Sequence, residues 1–270
     1  MPAAAVPQRQ PKTPEPATAP RRDGFAVTLR SLLFTVSFYL NISILMILSL
    51  PTLLMSHRIQ LPFIRSWAFS SLWLLRMICG TRIEWRGVQN IPAGACIVAC
   101  KHQSFLETFA VYKILDDPSF VLKRSLMWIP VFGWHMAKAK VIPIDRGAGV
   151  SALSRMTARA REVLAQARQV VIYPEGTRRT PGAEPTYKGG VAYLYDKCGV
   201  ACVPLALNSG LYWPRRSFMR YPGTVVIEAL EPIAPGLDRR AFLALLQSRL
   251  EEASARLLAE AEHKRAIGSS

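Results

Sequence analysis

The sequence predicts an α/β fold: a mixed, largely parallel sheet covered by helices, preceded by an N-terminal helical hairpin. Three observations carry that expectation. Short β-rich runs recur between residues 82 and 230, with helical segments alternating between several of them. The runs are continuously apolar, as strands covered on both faces are. Upstream, residues 31–55 (SLLFTVSFYLNISILMILSLPTLLM) hold no charge, and a second apolar stretch follows at 61–80.

Taken from the N-terminus, residues 1–24 contain six prolines and little hydrophobicity, and read as a disordered tail. Residues 25–80 form a membrane-associated helical segment. The uncharged run is about the 20 apolar residues that a bilayer span needs. It exceeds the core of a signal peptide, and Pro51 interrupts it. Trp67 and Trp73 in the second stretch suit a membrane interface. Five basic residues precede the run (Arg9, Lys12, Arg21, Arg22, Arg30), and the next five after it reach only to Arg86, so charge does not fix an orientation. A single span, a re-entrant hairpin and a buried core pair all stand open at this point.

Residues 81–262 form the α/β domain. Its expected strands are 82–87, 95–101, 119–124, 139–146, 169–176, 201–207 and 223–230. Its expected helices are about 104–115, 149–168, 188–197 and 239–262. In the last helix Leu243, Leu246, Leu250, Ala253 and Leu257 make one apolar stripe, which packs on the sheet rather than serving as a dimer seam. Residues 263–270 read as a tail.

Half the residues are hydrophobic, yet the net charge is +16. That pairing points to an anionic membrane surface or anionic substrates. No zinc-finger spacing or basic helical run supports nucleic acid as a partner. Five cysteines and no secretory signal favour a reducing compartment. Cys96 and Cys100 fall on one strand face, awkward for chelation, so the expectation is buried thiols and no metal.

The chemistry concentrates at three strand ends. KHQSFLET (101–108) follows the apolar run ACIVAC. Ser104 and Glu107 spell S-x-x-E, a capping box that predicts a helix from Phe105. The cap does not explain His102, whose imidazole suits a general base and whose tautomer a carboxylate one turn away could fix. Cys100, two residues earlier, is a rival nucleophile, with a core thiol the blander reading. VIPIDRG ends in Arg146, and VVIYPEGTRR ends in Glu175, Gly176, Thr177 and Arg178. Both put an arginine where a phosphate can be held. His57, His135 and His263 read as incidental, His135 as packing or as a contact to an acyl donor. Lys123, Arg124, Lys138 and Lys140 make a basic set whose bland reading is a solvated face.

In this order, with Val203-Pro204 in a later apolar run, these residues resemble the glycerolipid acyltransferase family, in particular the 1-acylglycerol-3-phosphate acyltransferases. The resemblance spans about residues 80–210. Glu107 stands where most members have Asp. The resemblance implies transfer of a fatty acyl group from acyl-CoA or acyl carrier protein to the sn-2 hydroxyl of lysophosphatidic acid, with no cofactor. His102 and Glu107 would be catalytic. Arg146, Glu175, Gly176, Thr177 and Arg178 would form the phosphate site, and backbone amides near 102–105 would serve the oxyanion. Membrane lipids would be partners, and the catalytic part would face the cytoplasm at the inner or cytoplasmic membrane, which favours the hairpin. The alternatives are another lysolipid acceptor such as a lyso-ornithine lipid, a thioesterase-like hydrolase, and a non-catalytic module that binds anionic lipid.

Overall fold

Strand β2, Cys96–Cys100, is buried at every residue. Cys96, Val98 and Cys100 enter one apolar cluster, and Ile97 and Ala99 enter the other, so the strand divides the core into two layers. This is the expected pattern of a strand covered on both faces. The computed structural model describes residues 24–145 and 149–268.

The remaining strands are β1 Thr81–Arg86, β3 Pro118–Lys123, β4 Ile142–Ile144, β5 Gln169–Ile172, β6 Cys202–Leu207 and β7 Gly223–Ala229. Their order across the sheet is β1-β7-β6-β2-β5-β3-β4. Only the β6–β7 pairing is antiparallel. The carboxyl ends of β2, β3 and β5 therefore open on one edge, where α/β sheets place ligands. Helices α5 Gly149–Leu164, α6 Gly190–Cys198 and α7 Arg239–Gly268 cover one face through Met156, Leu194, Phe242, Leu246 and Leu250.

Two helical boundaries differ from expectation. Helix α7 continues to Gly268 instead of leaving a tail from 263. His263, Lys264, Arg265 and Ala266 include no helix breaker, and basic residues favour a helix C-terminus. The helix expected from Phe105 is a single turn, α3 Glu107–Ala110, followed by the 3-10 turn Val111–Lys113. Its entry is tight because the Ser104 hydroxyl accepts the Leu106 amide at 3.1 Å, while Glu107 folds back to the strand end.

On the other face lie α1 Phe25–Leu48 and α2 His57–Cys79, joined by the 3-10 turn Leu50–Leu54 that contains Pro51. They run antiparallel. The Cys79 thiol reaches the Arg30 carbonyl, and Asn41 donates to the Ser70 and Ser71 hydroxyls. Among the described residues α1 is the one helix long and apolar enough to cross a membrane. Its inner stripe is committed to the domain. Phe38 meets Trp67, Phe105, Phe109 and Trp213 tilted or edge-on, with ring centroids 5.8–6.1 Å apart, and Phe34 meets Trp213 edge-on at 5.4 Å. The outer stripe, Leu32, Leu33, Val36, Tyr39, Leu40, Ile47 and Leu48, is more than half exposed. An apolar face of that size on a helix otherwise packed is a surface made for something other than water.

Phe38 is the centre of the joint between hairpin and domain. Phe38→Ala is expected to cost about 3–5 kcal/mol through the cavity it leaves. Limited proteolysis in detergent should then cut between α2 and β1, a linkage that stays protected in the parent protein.

Candidate active site

Lys101 and His102 leave the end of β2, and the chain turns at once into α3. Glu107 is fully buried there. One of its oxygens, Oε1, accepts the amides of Gln103 at 2.8 Å and Ser104 at 2.7 Å and lies 2.9 Å from His102 Nδ1. The other, Oε2, accepts the Ser209 hydroxyl at 2.8 Å. Glu107 thus caps the turn and orients the histidine with one oxygen. Because that oxygen is an acceptor, neutral His102 carries its proton on Nδ1 and keeps a lone pair on Nε2. The imidazole also stacks on Tyr173, with centroids 4.0 Å apart. Such a ring has its tautomer and its plane fixed, and Nε2 has no partner among the described residues.

The backbone of His102 is held as firmly. Its amide donates to Glu175 Oε2 at 2.9 Å, and its carbonyl accepts the Arg179 amide at 2.7 Å. Glu175 Oε1 pairs with Lys101 Nζ at 3.1 Å. The same ammonium meets Glu251 of α7, which in turn accepts the Tyr187 hydroxyl at 2.8 Å. Burial pushes the Glu175 carboxyl above its ordinary range, against the pull of Lys101.

These contacts correct two expectations. Glu175 is 2% exposed and turned inward, so it braces the histidine loop rather than facing a phosphate, which its charge would repel. The amides of His102, Gln103 and Ser104 are all taken by carboxylates, so they are not free donors for an oxyanion. Gly176 makes the turn after Glu175 with a positive φ of 66°. Thr177 and Arg178 are exposed beyond it. Arg146 lies outside the described residues.

Cys100 belongs to the core. Its thiol donates to the Lys101 carbonyl at 3.2 Å, and burial pushes its pKa well above the ordinary thiol range. It is held as a neutral thiol, a poor nucleophile.

His102 and Arg178 line an apolar cavity of about 340 Å³. Its walls come from α1 (Ile42, Leu45), α2 (Phe63, Trp67), β3 (Phe120, Leu122) and α4 Phe132–Lys138 (Phe132, Met136). His135 also lines it and does more than pack. Its Nδ1 accepts the Gln60 amide at 2.9 Å and its Nε2–H faces the Met46 carbonyl at 3.1 Å, so one neutral ring ties α4 to both helices of the hairpin.

Lys101, Tyr173, Ser209 and Glu251 were not singled out from the sequence. Ser209 contacts a residue 102 positions away, which no local spacing reveals. Its one signal is Asn208-Ser209-Gly210, a small polar cluster closing the apolar run of β6.

Residues 82–208 match the family profile described as acyltransferase. The chain is 38% identical over 164 residues to a 1-acyl-sn-glycerol-3-phosphate acyltransferase of Pseudomonas aeruginosa, covering 61% of this chain and 64% of the relative. It is 28% identical over 170 residues to the chloroplastic 1-acyl-sn-glycerol-3-phosphate acyltransferase BAT2 of Brassica napus, covering 61% and 48%. The match thus spans less than two thirds of either relative. The crystal structure of the 1-acyl-sn-glycerophosphate (LPA) acyltransferase PlsC from Thermotoga maritima superposes with a TM-score of 0.72 at 20% identity, over 86% of this chain and 98% of that one. At that identity the likeness establishes the fold alone.

Two outcomes follow from the geometry. In Glu107→Gln the amide oxygen can still accept both backbone N–H groups and the NH₂ can donate to Ser209. Stability should fall by about 1–3 kcal/mol, measured by chemical unfolding, while turnover in the reaction proposed below falls about 100-fold or more. For His135, burial lowers the pKa, opposed by the Met46 carbonyl. A histidine whose folded pKa lies below its unfolded value loses stability as pH falls below about 6.5. Melting temperature should therefore drop on acidification through that range, and His135→Gln should flatten that part of the profile.

Proposed function

We propose that the protein is a membrane-bound acyltransferase. It moves a fatty acyl group from acyl-CoA or acyl carrier protein to the sn-2 hydroxyl of lysophosphatidic acid, giving phosphatidic acid. The observation that carries this reading is an imidazole fixed at Nδ1 by a buried carboxylate and open at Nε2, set between an apolar cavity and an arginine. An acyl chain, a hydroxyl and a phosphate each have a place around it.

His102 Nε2 takes the hydroxyl proton as the oxygen attacks the thioester carbonyl. Collapse of the tetrahedral adduct breaks the carbon–sulfur bond, and the leaving thiolate takes the proton back from the imidazolium. Glu107 stabilises that imidazolium at 2.9 Å. Arg178, joined on the sequence reading by Arg146, holds the acceptor phosphate and so fixes the hydroxyl near the base. Tyr173 keeps the ring from rotating. The thioester is already activated, so the reading calls for no cofactor.

The acyl chain enters the cavity between the hairpin and β3. The outer stripe of α1 faces lipid while its inner stripe stays on the domain. Both stripes lie along the same helix, which favours a hairpin dipping into one leaflet over a free span. The acyl donors are cytosolic, so the domain faces the cytoplasm.

Membranes containing the protein, given labelled oleoyl-CoA or oleoyl acyl carrier protein and lysophosphatidic acid, should form labelled phosphatidic acid. His102→Ala at equal protein level should form none. Equal product from both would remove His102 from the reaction. Product only with another lysolipid would move the assignment to that acceptor, and thioester loss without an acceptor would make the protein a hydrolase.

A further inference from the structure

Beyond the arginine of the sequence motif, two more sit on the loop that follows β6. Gly210 presses that loop onto the residues after Arg178: a Cβ there would stand 2.8 Å from Pro181 and 3.0 Å from Gln103 Cβ. The Gly210 amide also donates to the Gln103 side chain at 3.1 Å. The loop carrying Arg215 and Arg216 is thereby fixed beside the one carrying Arg178 and Arg179. Arg178 lines the cavity that holds His102, and Arg179 binds the His102 carbonyl through its own amide.

None of these four arginines has a carboxylate within ion-pair distance among the described residues. The guanidinium of Arg179 meets only the Glu184 carbonyl and the Thr186 hydroxyl, and its Nε is buried without a partner. Partial burial and the charges of Arg216, Arg178 and Arg179 hold the Arg215 pKa below its ordinary value. Arg216 adopts a left-handed backbone, φ 56°, where glycine would be easier. Arg256, by contrast, is matched with both Glu228 and Glu260. Here the charge is concentrated and left unmatched, so an anion stabilises it.

We propose that Arg215 and Arg216, with Arg179, extend the anion site begun by Arg178 and act as specificity-determining residues for the acceptor's terminal phosphate. This inference rests on the acyl-transfer reading and adds residues to its acceptor site. A monoester is close to doubly charged at neutral pH, its second ionisation lying near 6. A phosphodiester headgroup offers one negative charge, and a zwitterionic amino-acid headgroup offers none net. Guanidinium groups bind the free oxygens of a terminal phosphate in pairs, and a cluster of four exceeds what one charge requires.

The test uses full-length protein in detergent, with 1-oleoyl lysophosphatidic acid and lysophosphatidylcholine of the same chain as acceptors. Arg215→Gln should raise KM for lysophosphatidic acid about 10-fold, leave KM for the thioester within 2-fold, and narrow the preference over lysophosphatidylcholine. Arg215→Lys should restore part of it. Arg216→Gly should raise the melting temperature by relieving the backbone while still weakening lysophosphatidic acid, a split that a merely structural role does not give. Arg240→Gln, an exposed charge at the start of α7, controls for net charge. An unchanged acceptor KM in Arg215→Gln overturns the proposal, as does a rise confined to the thioester, which would give the site to the donor. Thermal protection of the same proteins by lysophosphatidic acid is read without turnover. Protection that depends on Arg215 in a protein that transfers no acyl group would sustain the anion site and discard the reaction.

Discussion

Glu107 brings a carboxylate into a fully buried place, and four donors keep it there: two amides, one imidazole and one hydroxyl. An unpartnered charge at that depth would cost several kcal/mol, so the surroundings are built to satisfy it. The turn after β2, the short α3, the ring plane of His102 and the position of the loop after β6 all follow from that requirement. The histidine is therefore not a residue placed on a scaffold. It is one of the groups that make burial of the carboxylate tolerable, and its reactive nitrogen faces the cavity because the other one is in use. The arm of Glu107 lets a single oxygen reach across the turn to Nδ1 and to two amides at once.

A second carboxylate does the same from behind. Glu175 grips the amide of His102 and, through Lys101, reaches Glu251 on α7. The matched family segment ends at 208, yet both bracing chains leave it, one through Ser209 and the other through Glu251. The rigidity of the site is contributed by parts of the chain outside its recognisable motif.

That division also explains what the sequence discloses. The central strands β2, β5 and β6 were legible because each is a short apolar run buried at every residue, whereas β1 alternates Arg82, Glu84 and Arg86 with Ile83 and Trp85. His102, Glu107 and Arg178 were legible because strand ends gather polar residues into short words. The capping box told part of the truth: Glu107 does bond back to Ser104, but the helix it announces lasts one turn. Glu175 was misplaced because a motif lists residues without saying which way each one points. Ser209 and Glu251 were invisible, since their partners are fixed by the sheet order and not by spacing. His135 was set aside as packing, and its bonds to Gln60 and Met46 depend on how the hairpin docks.

The docking of that hairpin has a consequence for anyone handling the protein. Two walls of the cavity beside His102 belong to α1 and α2, and the other walls belong to the domain. The apolar N-terminal segment is thus also part of the mould in which a substrate tail would lie. Trimming the chain to begin near residue 80 would leave a sheet with its motif intact and an open trough where an enclosed cavity had been. For this fold, removing the apolar hairpin removes part of the cavity wall, so its helices belong to the cavity as much as to any anchor.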